Sequence, residues 1–235
     1  MENLDVERKI RALLERANHP GTPIAEAEAA LAMAYRLMMK YDLDIRLLTT
    51  TSDDIARQVS DTVESRRYET VGPYRVRRQY LQFVIMDALS CAMYRDFEQG
   101  DLDTIVSYGF GTAHDLDAAE TLYTAAELLA QRTLPWGDRG YRTAWWRGFT
   151  DGLRQKLRRE RRKVERSTTG AALVLRERGE RAEEEMVRFC PTLVWRSTRY
   201  SDVSDAYGDG HRAGSRFETG ERSVHGGSLS LPPGA

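Results

Sequence analysis

Cysteine is scarce in this chain: two residues in 235, Cys91 and Cys190. They sit in unrelated contexts, one in an apolar stretch and one before Pro191, with no Cys-x-x-Cys pair and no zinc-type spacing. That excludes a disulfide-stapled scaffold and a cysteine-held zinc as organising principles. Two reduced thiols are the expectation, with a disulfide or a nucleophilic cysteine as the alternative. Long apolar runs are missing too. None approaches the roughly 20 residues of a membrane span, and Met1-Glu2-Asn3-Leu4-Asp5 lacks the basic and apolar regions of a secretory signal. A cytoplasmic protein with no membrane partner is expected. The sequence carries no His-Glu-x-x-His, no Gly-Lys-Thr/Ser phosphate loop, no calcium loop, no serine or cysteine triad and no internal repeat. No cofactor, metal or catalytic residue is therefore assigned.

What is present suits one medium domain or two small ones. Hydrophobic residues make up 41% and charged residues 30%, the balance of a soluble globular chain with a substantial core. The formal net charge of -1 conceals an uneven distribution.

The first fifty residues read as a helical hairpin. Asp5 is placed to cap a helix in which Val6, Ile10, Leu13, Leu14 and Ala17 recur at helical spacing. Asn18-His19-Pro20-Gly21 stops it, and Thr22-Pro23 starts a second helix with a hydroxyl cap and proline at the first helical position. Ala27, Ala30, Leu31, Ala34, Leu37, Met38 and Tyr41 line one face of that helix. Small residues allow two helix axes to approach closely, and a short loop makes the helices antiparallel neighbours.

The series Lys9 to Leu14, Ala17, Pro20-Gly21-Thr22, Glu26-Ala27-Glu28-Ala29-Ala30, Arg36-Leu37-Met38 and Tyr41 resembles the domain-of-unknown-function 2786 family of bacterial and bacteriophage proteins. The middle of the chain is also similar to the segment that often follows this domain in phage proteins. The resemblance implies an intracellular, phage-encoded protein and supplies no reaction and no catalytic residues.

Residues 49–73 read as a linker, opened by Thr49-Thr50-Thr51-Ser52 and closed by Val71-Gly72-Pro73, with a helical or extended insert around Ile55, Val59 and Val63. A buried helix is expected from Tyr74 to Met93. Two strands come next, around 92–98 and 103–110, joined at Gln99-Gly100-Asp101. Thr112 caps the next helix, and Pro135-Trp136-Gly137-Asp138 ends it. The longest helix spans Arg139 to Arg166, and another restarts at Thr168 or Thr169 and runs through Met186. The fold class is α+β and predominantly helical, in four segments: a two-helix hairpin over 1–48, the linker, helices around a small β-hairpin over 74–217, and a disordered tail over 218–235.

The long helix has two halves. Ala144, Gly148 and Gly152 lie four apart beside Trp145, Trp146 and Phe149. Glycine costs a helix about 1 kcal/mol relative to alanine, so close contact with another helix or backbone is expected, with one tryptophan at the edge of the core. An aromatic surface that stacks bases is the alternative. The second half carries Arg154, Lys156, Arg158, Arg159, Arg161, Arg162 and Lys163, a candidate polyanion footprint. Its competitor is pairing with Glu177, Glu180, Glu183, Glu184 and Glu185 of the following helix.

Elsewhere His114, Asp117 and Glu120 share the start of one helix. A capped helix start competes there with a metal or acid–base role. Asp205 to His211 holds two acids and a histidine, and Gly210 and Gly214 fit close packing of a short helix. Gly109-Phe110-Gly111-Thr112 has the outline of an anion-binding turn without its full glycine pattern.

The leading expectation is a non-catalytic accessory protein that binds DNA or RNA without sequence preference through the seven basic residues. One alternative is a module that binds a host or phage protein through the N-terminal hairpin. Another is an enzyme with its site near His114, supported if a pocket joins His114 to Asp209 or His211.

Overall fold

The chain opens with two helices, α1 (Glu2–Asn18) and α2 (Ile24–Leu48), in a computed structural model that describes residues 2–48, 62–97, 99, 101–194 and 204–215. Pro23 stands at the entrance of α2, and its carbonyl accepts from Glu26 N at 3.0 Å and Ala27 N at 2.9 Å. A proline costs nothing there, because the N–H it lacks would have no helical partner. The start of α1 differs from the sequence expectation. Asp5 lies inside the helix and pairs with Arg8 at 3.3 Å rather than capping it. Ala27, Ala30 and Ala34 are buried, and Ile10, Leu13 and Leu14 are half-buried against the core.

The hairpin does not stand apart from the rest of the chain. Leu31 and Tyr35 share one continuous core with Leu122, Trp146 and Leu157. The Tyr35 hydroxyl donates to Ala88 O at 2.9 Å, and Arg132 donates to Ala17 O at 3.2 Å and Thr22 O at 3.0 Å.

Three strands and five more helices complete the described residues: β1 (Val63–Val71), α3 (Arg75–Ala88), β2 (Ala92–Asp96), β3 (Thr104–Thr112), α4 (Ala113–Thr133), α5 (Arg139–Ser167), α6 (Ala171–Phe189) and α7 (Asp205–Ser215). The architecture is predominantly helical α+β. The sheet is antiparallel in the order β1-β3-β2, so the expected β-hairpin is two strands of three. The third, β1, falls in the stretch read as linker. It pairs with β3 from Val63–Thr112 to Val71–Thr104. Its sequence Val-Glu-Ser-Arg-Arg-Tyr-Glu-Thr-Val gives no apolar alternation, because an edge strand exposes much of its length and charge suits that exposure. Positions 49–61, including Ile55 and Val59, and the tail at 218–235 lie outside the described residues.

Element boundaries shift where the backbone turns left-handed. Helix α3 stops at Ala88, Ser90 takes φ 61°, and Cys91 N donates to Met86 O at 2.9 Å to launch β2. Helix α6 starts after Gly170 at φ 84°, not at Thr168 or Thr169. Strand β3 runs on through Gly109 and Gly111 to Thr112, past the end expected near 110. A Cβ at Gly111 would come within 2.7 Å of Cys91 Sγ. Cys91 is buried and free, and burial pushes its thiol well above the usual range.

Helix α5 organises the core. Trp145, Trp146, Phe149, Leu153 and Leu157 are all buried. Both tryptophans are inside, where the sequence expected one at the edge. Their rings meet edge-on at 6.1 Å, and Trp145 stacks on Phe149 at 5.3 Å. This arrangement takes the aromatic pair away from any base-stacking surface. Beside it, α7 crosses α5 with backbones in contact. Gly148 and Gly152 face Gly210 and Gly214. A Cβ at Gly148 would fall on the Tyr207 carbonyl and 2.7 Å from His211 N, and one at Gly210 would fall on the Trp145 carbonyl and 2.9 Å from Phe149 N.

Gly148→Ala should therefore destabilise the protein by about 1–3 kcal/mol despite alanine's better helix propensity, because a rigid backbone leaves the methyl group no room. Gly179, in the middle of α6, has open space within 4 Å of where a Cβ would sit, and Gly179→Ala should stabilise by about 0.5–1 kcal/mol. Urea unfolding of the two variants checks both signs. A stabilised Gly148→Ala would refute the crossing.

Candidate nucleic-acid interface

Intramolecular contacts divide the seven basic residues singled out in the second half of α5 into two groups. Four are engaged within the molecule. The Arg154 guanidinium lies 5.0 Å from the centre of the Tyr80 ring and 3.8 Å from Asp151 Oδ1. Arg161 donates to Glu165 Oε1 at 3.0 Å and reaches Ala88 O at 3.5 Å. Lys156 and Lys163 approach Glu160 Oε1 at 3.7 and 3.3 Å. Lys156 is buried; Lys163 is exposed. The remaining three, Arg158, Arg159 and Arg162, are exposed and make no ion pair among the described residues.

A fourth arginine, Arg166, joins them. It is exposed, and its Nε donates to Arg162 O at 3.0 Å. Arg158, Arg162 and Arg166 are four residues apart, so they rise about 6 Å per step along one face of the helix, with Arg159 alongside. Buried Lys156, Leu157, Glu160 and Val164 occupy the opposite side. The sequence places basic residues all round α5; packing selects this single stripe.

Helix α7 marks where the stripe begins. Gly148 meets Tyr207 and His211, whereas Gly152 meets His211 and Ser215. Residue numbers rise together, so the two helices run in the same direction and α7 ends beside Gly152, ahead of Arg158. The acidic residues of α6 do not cover the stripe's arginines. Glu180 pairs with Arg176 at 3.6 Å, and Glu185 pairs with Arg188, both within α6. The carboxylates seen against the basic half are those of Asp151, Glu160 and Glu165, on α5 itself.

Near His114 the three side chains read together in the sequence separate. Arg66 of β1 holds Asp117 Oδ1 at 2.6 Å and Glu120 Oε1 at 3.0 Å, and the Tyr68 hydroxyl donates to the same Glu120 oxygen at 3.0 Å. His114 instead lines a cavity of about 10 Å³ with Met38, Met39 and Leu89, room for roughly one water. Among the described residues no three histidine, cysteine or acidic side chains gather as metal ligands. The start of α4 is capped by its own chain, with Asp115 N donating to Thr112 Oγ1 at 3.2 Å. Asp209 accepts from the Tyr141 hydroxyl at 2.9 Å, and His211 lies where α7 meets α5, so neither shares His114's cavity.

Asp115 and Arg178 form a pair that sequence patterns do not reveal. Both are buried, with Arg178 NH1 3.1 Å from Asp115 Oδ1 and the Thr112 hydroxyl donating to Oδ2 at 2.8 Å. No spacing rule finds it, because the partners lie 63 residues apart. Arg178→Met should destabilise by about 3–5 kcal/mol, since it removes a buried counter-ion of Asp115. Adding Asp115→Leu should recover part of that loss. A thermal or urea titration showing strictly additive effects would deny the coupling.

No curated protein and no solved structure matches the chain. Residues 6–44, most of both hairpin helices, match the family model described as "Protein of unknown function (DUF2786)".

Proposed function

We propose that the protein binds nucleic acid, without sequence preference, through the arginine stripe of α5. The observation that carries this reading is the exposure of Arg158, Arg159, Arg162 and Arg166 on one helix face with no ion pair to any of them among the described residues. Exposed guanidinium groups at regular spacing neutralise phosphates and release their counterions, which supplies affinity for any sequence. No recognisable base-reading motif accompanies the stripe, so the contacts position the backbone rather than specify bases. The family resemblance of the hairpin suits a bacterial or bacteriophage protein working in the cytoplasm, where such a partner is at hand. No described helix is long and apolar enough to cross a membrane.

The role is non-catalytic in this reading. The alternative, a protein partner docking on the hairpin, has less surface available, because the alanine-rich face of α2 is buried in the common core.

Labelled single strands and duplexes of unrelated sequence should bind with similar affinity at low salt. Affinity should fall with a log–log salt slope near -0.9 per phosphate neutralised on duplex DNA, roughly the value for counterion release. Replacing Arg158, Arg159, Arg162 and Arg166 together by glutamine should weaken binding to every sequence alike and leave the melting temperature unchanged. Anisotropy titrations that detect no binding at high micromolar protein would overturn the proposal in favour of the protein-interaction reading.

A further inference from the structure

Glu160 is surrounded by more positive charge than one carboxylate can neutralise. Its side chain is 1% exposed. On Oε2 it accepts from Arg36 Nε at 3.0 Å and NH2 at 2.6 Å; on Oε1 it meets Lys163 at 3.3 Å and Lys156 at 3.7 Å. Arg36 and Lys163 alone bring two cations to one carboxylate, an excess of one positive charge. The carboxylate is hidden while two of the cation-bearing side chains reach solvent, Arg36 at 32% and Lys163 at 48% exposure.

The placement of these groups matters as much as their number. Arg36 comes from the hairpin and Lys163 from α5. The shared carboxylate fixes both, one on each oxygen, so little side-chain freedom remains to be lost on binding. Arg36 uses Nε and NH2 for Glu160, and its NH1 takes no part in that bond. Lys163 follows Arg162 directly and lies one turn beyond Arg159, so the junction adjoins the stripe.

We infer that Arg36 and Lys163 form a phosphate seat at the junction of the hairpin and α5, continuing the arginine stripe onto the hairpin. The inference rests on the nucleic-acid reading of the stripe and adds a residue from outside α5. A phosphodiester of a nucleic-acid backbone fits the seat, as does a free inorganic phosphate, since both present anionic oxygens to a guanidinium and an ammonium. Arg36 belongs to the segment that matches the family model, which gives the hairpin a share in binding as well as in packing.

The test uses the full chain, a labelled oligothymidine of about 16 nucleotides, the upper end of the usual single-strand site size, and inorganic phosphate. Lys163→Gln is the decisive variant, because Glu160 keeps Arg36 and Lys156 and the fold survives. With a slope of about 0.7 per contact on a single strand, one lost contact lowers affinity roughly fivefold at about 0.1 M salt and reduces the salt slope by about 0.7. Arg36→Gln should do the same wherever its melting temperature shows that it folds. Arg188→Gln, on the exposed surface of α6, should change nothing. If Lys163→Gln binds like the unaltered protein while Arg158→Gln with Arg162→Gln is weakened, the seat is refuted and the stripe stands. If the unaltered protein binds no oligonucleotide, the nucleic-acid reading fails, and the phosphate arm decides the seat. A rise in melting temperature with phosphate over chloride at matched ionic strength, lost in Lys163→Gln, supports a free-phosphate site. No rise overturns the seat as well.

Discussion

Helix α5 is buried from two directions, and that double burial constrains the rest of the molecule. On one side Trp145, Trp146, Phe149, Leu153 and Leu157 enter the common core. On another, in the first half only, Gly148 and Gly152 admit the backbone of α7. A helix so enclosed has little surface left. In its second half the exposed positions are mostly basic, Arg158, Arg159, Arg162, Lys163 and Arg166. The basic surface is thus a residue of packing: the core takes Lys156 and Glu160, intramolecular partners hold Arg154 and Arg161, and Arg158, Arg159, Arg162 and Arg166 remain outside.

The polar contacts explain how the hairpin joins this core. Tyr35, Arg36 and the turn at Ala17–Thr22 each meet a different element, respectively the end of α3, the middle of α5 and the end of α4. Hydrophobic burial gives the attachment most of its strength, and the directional bonds set its orientation. Glu160 is central to that orientation. Its carboxylate would be costly to bury alone, and Arg36 from the hairpin helps compensate it. On the sheet, Arg66 performs a comparable service for β1, clasping Asp117 and Glu120 of α4 and fastening an edge strand with four charged residues in nine.

Much of the helical framework could be read directly. The hairpin turn at Pro23, the cap at Thr112, the span of α5 and the close-packing role of Gly148 and Gly152 all follow from local propensity or from the cost of glycine in a helix. The strand β1 could not be read this way, because edge strands carry no strict apolar period. Helix boundaries at Ser90 and Gly170 depend on left-handed backbone, which glycine advertises and serine does not. The candidate interface was legible as a region but not as a surface. Charge alone points to seven residues; three of them lie on the exposed arginine stripe, and Arg166 completes it. Its spacing of four from Arg162 was the available signal.

Composition and periodicity by themselves determined a predominantly helical α+β chain with a hairpin at its start and a strongly basic long helix, because these depend on residues close together in sequence. Tertiary structure alone decided which charges are brought together. The partners of Glu160 include Arg36, 124 residues away, and Asp115 finds Arg178 across 63. Charge acts through distance in space, and two oppositely charged side chains neutralise one another only where packing brings them together and keeps water out. A sequence displays every charge with equal weight; the fold removes some from view and leaves the others to meet a partner.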